Sequence, residues 1–194
     1  SKNFYDSRNR LVKSNDPQGN GTSYRYDAKN QLIATIDPLG NRTTFQYDAR
    51  GRKISDTDPN GKTTTYTYDS ADNLIETSDR NGNITKYEYD EFNRPVKQID
   101  PLGGITTTSY DKAGNVVSVT DVLNRTTSFT YDNRNRTQTI TDPLSGVTKY
   151  SYDQVGNQTG ITDPLNRTTQ FTYDALSRNT SVIDPLGHTT TNNY

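Results

Sequence analysis

The chain has 194 residues with 22 basic and 23 acidic side chains, 14 Tyr, and no Cys, Met or Trp. Leu, Ile, Val and Phe supply 34 of the 194 residues, below the roughly 20% at which a chain begins to look disordered, so an ordinary aliphatic core is excluded and burial has to come from Tyr rings. The near-zero net charge excludes the basic excess of a nucleic-acid or anionic-membrane binder, the lack of Cys excludes disulfides and thiolate chemistry, and no apolar run approaches the roughly 20 residues of a membrane-spanning helix.

In chain order, the first ten residues (SKNFYDSRNR) contain no signal-peptide apolar region, and Ser rather than Met at position 1 reads as a processed chain or an excised piece. Tyr5 then opens a unit that returns every 21 residues without insertion or deletion: Tyr26, Tyr47, Tyr68, Tyr89, Tyr110, Tyr131, Tyr152, Tyr173 and Tyr194. Each of the first nine is followed by Asp (Asp6, Asp27, Asp48 and onward), a second Asp recurs ten residues later (Asp16, Asp37, Asp58 and onward), and a Thr is equally phased (Thr22, Thr43, Thr64 and onward to Thr190). The organisation is therefore one repeat array over 1–194, with repeats 5–25, 26–46, 47–67, 68–88, 89–109, 110–130, 131–151, 152–172 and 173–193 and no separate catalytic domain.

Within a repeat, the elements follow from turn chemistry and period. Asp37-Pro38-Leu39-Gly40-Asn41 reads as a turn, since Pro fixes φ, Asp accepts nearby backbone N–H groups and Gly permits φ > 0. A second turn follows each Tyr-Asp, as in 110–115. Between turns the sequence alternates with period two: Thr43-x-Phe45-x-Tyr47 and Thr85-x-Tyr87-x-Tyr89 put β-formers on one face and polar residues such as Gln46 and Glu88 on the other. The return segments, 31–36 or 115–120, are rich in β-branched residues but alternate less cleanly. Each repeat thus predicts two strands of about five residues.

Two geometries satisfy this pattern. A meander of antiparallel hairpins spaces successive Tyr about 10 Å apart, whereas a parallel β-solenoid stacks them at about 4.8 Å. Carboxylates stacked at 4.8 Å repel by roughly 0.9 kcal/mol per neighbouring pair even in water, which favours the meander. Five residues after each Tyr, Arg alternates with a neutral amide (Arg10, Gln31, Arg52, Asn73, Arg94, Asn115, Arg136, Asn157, Arg178), read as relief of like-charge contact plus amide-to-Arg hydrogen bonding. The expected fold is all-β, a curved, spiralling antiparallel sheet forming a ribbon, shell or tube wall, because eighteen strands in one open sheet would be about 85 Å wide and open sheets rarely exceed about 10 strands without curling. Tyr5, Asp6, Thr190 and Tyr194 mark the expected unprotected strand edges, where the array pairs with further copies of the repeat.

The consensus Tyr-Asp-x-x-Gly/Asn-Arg/Asn-Leu/Val-x-x-x-x-Asp-Pro-Leu-Gly-Asn-x-Thr-x-Tyr, fullest over 26–47, closely resembles the Rhs or YD repeat across the whole chain. The resemblance implies a β-sheet ribbon that spirals into a hollow cocoon, as in bacterial polymorphic toxins, shell subunits of insecticidal toxin complexes, wall-associated proteins and teneurins. It also implies a secreted or cell-surface location and, in the toxins, an enclosed cytotoxic segment released by aspartyl self-cleavage. The core motif of that cleavage, a DPxGxxDxxGL-like stretch with Trp, is absent from this sequence, so no catalytic residue carries over.

The candidate chemistry has simpler structural readings. The phased Asp residues suggest a Ca²⁺ ladder, yet each fits an Asx-turn better, so no cofactor and no metal ligand is expected. Tyr rows such as Tyr66/Tyr68 suggest stacking on glycans, yet their phase fits the core stripe of the sheet. His188 is alone and forms no His-based dyad, and no enzyme is expected. Sequons occur at Asn20, Asn41, Asn83, Asn124, Asn135, Asn157, Asn166 and Asn179, those at Asn20, Asn41 and Asn83 arising from Asn preceding the phased Thr. The anchors of the array are thus Tyr26, Asp27, Asp37, Pro38, Gly40, Thr43, Tyr47, Asp48, Asp58, Thr64, Tyr68, Tyr89, Tyr110, Tyr131, Tyr152 and Tyr173. The function read from them is a structural scaffold, with a carbohydrate or cell-surface binding module and a toxin-enclosing cocoon segment as alternatives.

Overall fold

The computed structural model describes residues 1–194 as 19 β-strands with no helix. Two compact units divide the chain, residues 1–103 and 104–194. The first holds β1 (Lys2–Tyr5), β2 (Leu11–Asn15), β3 (Gly21–Tyr26), β4 (Leu32–Ile36), β5 (Arg42–Tyr47), β6 (Lys53–Thr57), β7 (Thr63–Tyr68), β8 (Leu74–Ser78), β9 (Ile84–Tyr89) and β10 (Pro95–Ile99). The second holds β11 (Ile105–Tyr110), β12 (Val116–Thr120), β13 (Thr126–Tyr131), β14 (Thr137–Thr141), β15 (Val147–Tyr152), β16 (Gln158–Thr162), β17 (Thr168–Tyr173), β18 (Asn179–Ile183) and β19 (Thr189–Thr191).

In each unit every strand pairs antiparallel with its sequence neighbours. This is the hairpin meander, and the parallel solenoid is ruled out. The two kinds of turn have the same backbone form. In the Asp-Pro turn, Gly40 N–H donates to Asp37 O at 3.0 Å and Asp37 N–H to Asn41 O at 3.0 Å; in the Tyr-Asp turn, Gly51 N–H donates to Asp48 O and Asp48 N–H to Arg52 O. Each is a β-turn closed by a residue with φ > 0, the three-residue hairpin loop that follows strand twist. Gly40 holds that position at φ 87°, while Asn124 and Asn135 hold its equivalents at 58° and 60°, because Asn tolerates the left-handed region better than other side chains.

The two hairpins differ in their ladders. All nine Tyr-Asp hairpins carry a bulge next to the Tyr, as where Arg25 faces Ala34 but Tyr26 faces Leu32, so that Ile33 is the extra residue. The Asp-Pro hairpins of both units run in straight register, as with Ala34 facing Thr44 and Ile36 facing Arg42. The bulge explains why the return segments alternate imperfectly: two adjacent apolar residues, such as Leu32 and Ile33, face a single Tyr.

Burial lies on one side of each sheet. In β9, Thr85, Tyr87 and Tyr89 are partly buried while Ile84, Lys86 and Glu88 are exposed; β11 repeats this alternation in full, and β7, β15 and β17 repeat it from their second residue onward. No large side chain is fully buried, and the buried residues reduce to small or polar ones, Ala34, Ser55, Asp56 and Gly160. Cohesion therefore depends on ladder hydrogen bonds and a half-buried aromatic stripe.

Candidate functional site

The anchor residues form a lattice that ties each repeat to the next. Seven of the phased Tyr rings lie on the more buried face, and their hydroxyls donate to backbone carbonyls fifteen residues earlier: Tyr26 to Leu11, Tyr47 to Leu32, Tyr68 to Lys53, Tyr89 to Leu74, Tyr131 to Val116, Tyr152 to Thr137 and Tyr173 to Gln158, all at 2.8–2.9 Å. The acceptors sit at the bulge of the preceding hairpin. A bulge leaves a carbonyl out of the ladder, and the Tyr hydroxyl satisfies it. Burial raises the Tyr89 and Tyr152 phenols above their usual range.

Each turn Asp works at home. Asp6 Oδ1 accepts the N–H groups of Arg8 (2.9 Å) and Arg10 (3.0 Å), and its Oδ2 accepts Arg10 Nε at 2.7 Å. Asp37 does the same with Leu39 and Asn41, the Asn41 amide reaching Oδ2 at 2.7 Å, and Asp27, Asp48 and Asp58 accept N–H groups in their own turns. These bonds favour the charged form. The Asn41 amide holds the Asp37 carboxyl below its ordinary value, and the Arg136 guanidinium does so for Asp132. Asn20, Asn41, Asn83 and Asn157 are engaged with turn aspartates through their amides, so the sequon pattern has a turn role.

The alternating Arg/amide column bridges repeats. Arg10 Nη1 reaches Asp27 O (3.2 Å) and Asn30 Oδ1 (3.0 Å), and its guanidinium stacks 4.9 Å from the Tyr26 ring centroid. Arg52 reaches Asp69 O (3.1 Å) and Asp72 (2.6 Å) over Tyr68, and Arg136 reaches Asp153 O over Tyr152. The neutral members make the same link more weakly, Asn73 donating to Asn93 and Asn115 to Asn135. The predicted Arg-to-amide bond exists, but its acceptor is the left-handed turn residue twenty positions on rather than the neighbouring member of the column.

The remaining anchors complete the ladder. Pro38 occupies the second turn position, Thr43 faces Thr35, Thr64 faces Asp56 and Tyr110 faces Val116. Of the edge residues, Tyr5 pairs with Leu11 on the exposed β1 and Thr190 with Val182 on the exposed β19. Asp6 is spent on Arg10, and Tyr194 lies under Arg178 at 4.7 Å while remaining 69% exposed.

One cluster is absent from the sequence expectations. Asp56 accepts Lys53 Nζ (2.9 Å), Tyr66 OH (2.8 Å) and Arg80 Nη2 (3.2 Å), with its side chain 11% exposed. Burial alone would push its carboxyl up, but Lys53, Tyr66 and Arg80 together hold it below the ordinary value. The signal was available: Arg80 stands where seven other repeats have Pro, and Asp56 is the one carboxylate in a column otherwise Ser, Thr, Gln, Val or Ile. Departures from a repeat consensus that meet in space identify such a cluster.

The family described as RHS Repeat matches seven overlapping stretches, residues 5–41, 26–61, 53–84, 68–105, 110–147, 134–165 and 152–190. Among solved structures the chain is similar to the crystal structure of TcdB2-TccC3 without its hypervariable C-terminal region (16% identity, TM-score 0.55, covering 94% of this chain and 12% of that one). It is similar also to TcdB2-TccC3-TEV (16% identity, TM-score 0.54, covering 93% and 13%). The chain thus spans about an eighth of the length of these structures, and the likeness is one of fold. No curated protein sequence matches it. With seven matched stretches on nine phased hairpins, the chain belongs to the RHS repeat family.

Proposed function

We propose that this array is a wall segment of a secreted or cell-surface shell, a non-catalytic scaffold whose partners are further copies of the same repeat and, in a longer protein, an enclosed toxin segment. The observation that carries this reading is where the polar groups go. The Tyr hydroxyl, Arg guanidinium and turn Asp contacts described above run to the same or the adjacent repeat, which builds a continuous surface and leaves those groups no task toward a small ligand. The likeness in fold to TcdB2-TccC3 supports the wall role. No helix is long and apolar enough to cross a membrane.

The test is electron microscopy of the purified chain across a dilution series. Discrete curved particles with a Tyr-row spacing of about 10 Å are expected of a wall segment. Fibres growing through β1 and β19 would replace the wall reading with a filament whose edges Tyr5, Asp6, Thr190 and Tyr194 are assembly interfaces.

Glycan binding is the second reading. The exposed ring outside the Tyr columns and away from the ends, Phe92 at 68% exposure with Arg94 over it at 5.1 Å, is where a sugar would stack. A glycan array that loses its signals on Phe92→Ala is the outcome that would favour it.

A further inference from the structure

We infer that the Asp-Pro-turn margin of the 104–194 unit is a self-association surface, and that its occupant is the same margin of a second copy of this array. Four consecutive turns on that margin present paired apolar side chains to solvent: Val122/Leu123, Pro143/Leu144, Pro164/Leu165 and Pro185/Leu186. The four leucines are 65%, 92%, 71% and 83% exposed. A row of large apolar side chains held in water on one edge marks a contact surface.

The turn itself does not call for Leu. The equivalent position in the first unit holds Gln18, Asn60 and Asn81, whose N–H groups donate to Asp16, Asp58 and Asp79 at 2.9, 2.9 and 2.7 Å. Leu123, Leu144, Leu165 and Leu186 make the same bond to Asp121, Asp142, Asp163 and Asp184 at 2.9, 2.8, 2.9 and 2.8 Å. The backbone is indifferent to the side chain, so what Leu adds is its exposed surface. The first unit, with polar residues at three of its five positions, is the built-in contrast.

Two properties select the occupant. The first is pitch: each Leu lies two strands from the next, roughly 10 Å, and a surface engaging all four has to repeat at that interval. A second 21-residue array does so by construction, whereas a globular partner or a lipid surface has no such period. The second is charge. Asp121 and Asp163 are paired with Arg125 and Arg167 at 2.6 Å, whereas Asp184 meets only His188 and Asp142 only the N–H groups of Leu144 and Gly146, so pairing halves the turn charge that two such margins bring together, and salt should strengthen their association. The opposite margin of this unit is mixed, with Ala113, Arg134, Val155 and Leu176 at the corresponding turn position, which makes the Leu row its own best complement. Like meeting like about a two-fold axis is the isologous arrangement, with Leu144 of one copy against Leu165 of the other.

The experiment is sedimentation velocity of the full chain over a dilution series, beside a variant with Leu123, Leu144, Leu165 and Leu186 all replaced by Asn, the residue found at 60 and 81. The wild type is expected to move from monomer to dimer with concentration, and the variant to need at least ten-fold more protein, with unchanged far-UV circular dichroism. Wild type that stays monomeric, or a variant that associates as readily, would overturn the inference, and the latter would point to β1 and β19.

A second variant guards against misfolding of the first. The chain has no Cys, so Leu144→Cys with Leu165→Cys places two thiols roughly 10 Å apart in one chain, beyond the roughly 7 Å Cα reach of a disulfide. Oxidation should then give a covalent dimer, and a control with Gln18→Cys and Asn60→Cys should not. Equal cross-linking of both, or binding of the wild type to phosphatidylcholine vesicles through these leucines without dimer formation, also overturns it.

Discussion

The Tyr hydroxyl is where a single atom connects two repeats, since it fills the one carbonyl that the bulge removes from the ladder. Tyr131→Phe keeps the ring and removes the donor to Val116 O at 2.8 Å. A loss of about 1 kcal/mol is expected in chemical denaturation, and a change within error would show that water replaces the hydroxyl freely. Asp56 is a different case, because three donors converge on a side chain that is nearly out of solvent. Asp56→Ala leaves Lys53 and Tyr66 without their acceptor and should cost about 2 kcal/mol, whereas Arg80→Ala, at an exposed position, should cost under about 1 kcal/mol. A double-mutant cycle measures the pair; zero coupling between positions 56 and 80 would mean that Arg80 is held by Asp58, 3.8 Å away, instead.

At the scale of the hairpin, the left-handed turn residue is the constraint that the sequence expressed most clearly. Gly, Asn, Ser and Asp occupy it in every repeat, and all have φ between 58° and 107°. Gly40→Val places a β-branched residue at φ 87° and should destabilise by roughly 1–2 kcal/mol, while Gly40→Asn, as the chain itself uses at 124 and 166, should cost less than about 1 kcal/mol. Equal losses in thermal melts would show that the two side chains meet something other than backbone strain.

The strands, both turns and the antiparallel pairing were legible because period two and turn chemistry are local signals. The bulge was not, since adjacent Leu32 and Ile33 read only as noise in the alternation. Nor was the target of the Arg column: spacing revealed the alternation at Arg10 and Arg52, but the acceptors Asn30 and Asp72 lie across a strand pair whose register had to be known first. The Asp56 cluster was hidden for a related reason, because Arg80 and Asp56 become neighbours only once β6, β7 and β8 are aligned.

Over the whole molecule, stability has to come from repeated polar contacts, since no large side chain is fully buried. The turn carboxylates set how that stability depends on pH. Most of them, Asp16 through its Asn20 amide and Asp121, Asp132 and Asp90 through their Arg partners among them, are held below the ordinary value of 3.8 in the folded chain. A group whose folded value is depressed binds its proton more readily when unfolded, so its contribution is present above pH 3.8 and is lost as pH falls through the lower folded values. The melting temperature should therefore vary little with these groups above about pH 5 and drop progressively below about pH 4. Because the same motif recurs along the chain, small effects at each turn add to a steep acid limb. Charge build-up on an acidified chain would give a similar trend, and Asp→Asn at 16, 37, 69 and 79, each held below its ordinary value by a turn amide, separates the two. Asn keeps the acceptor oxygen for the turn N–H groups but has no proton to bind, so the variant should start less stable at neutral pH and show a shallower acid limb. An acid limb of unchanged slope would mean that global repulsion, and not the turn carboxylates, unfolds the array.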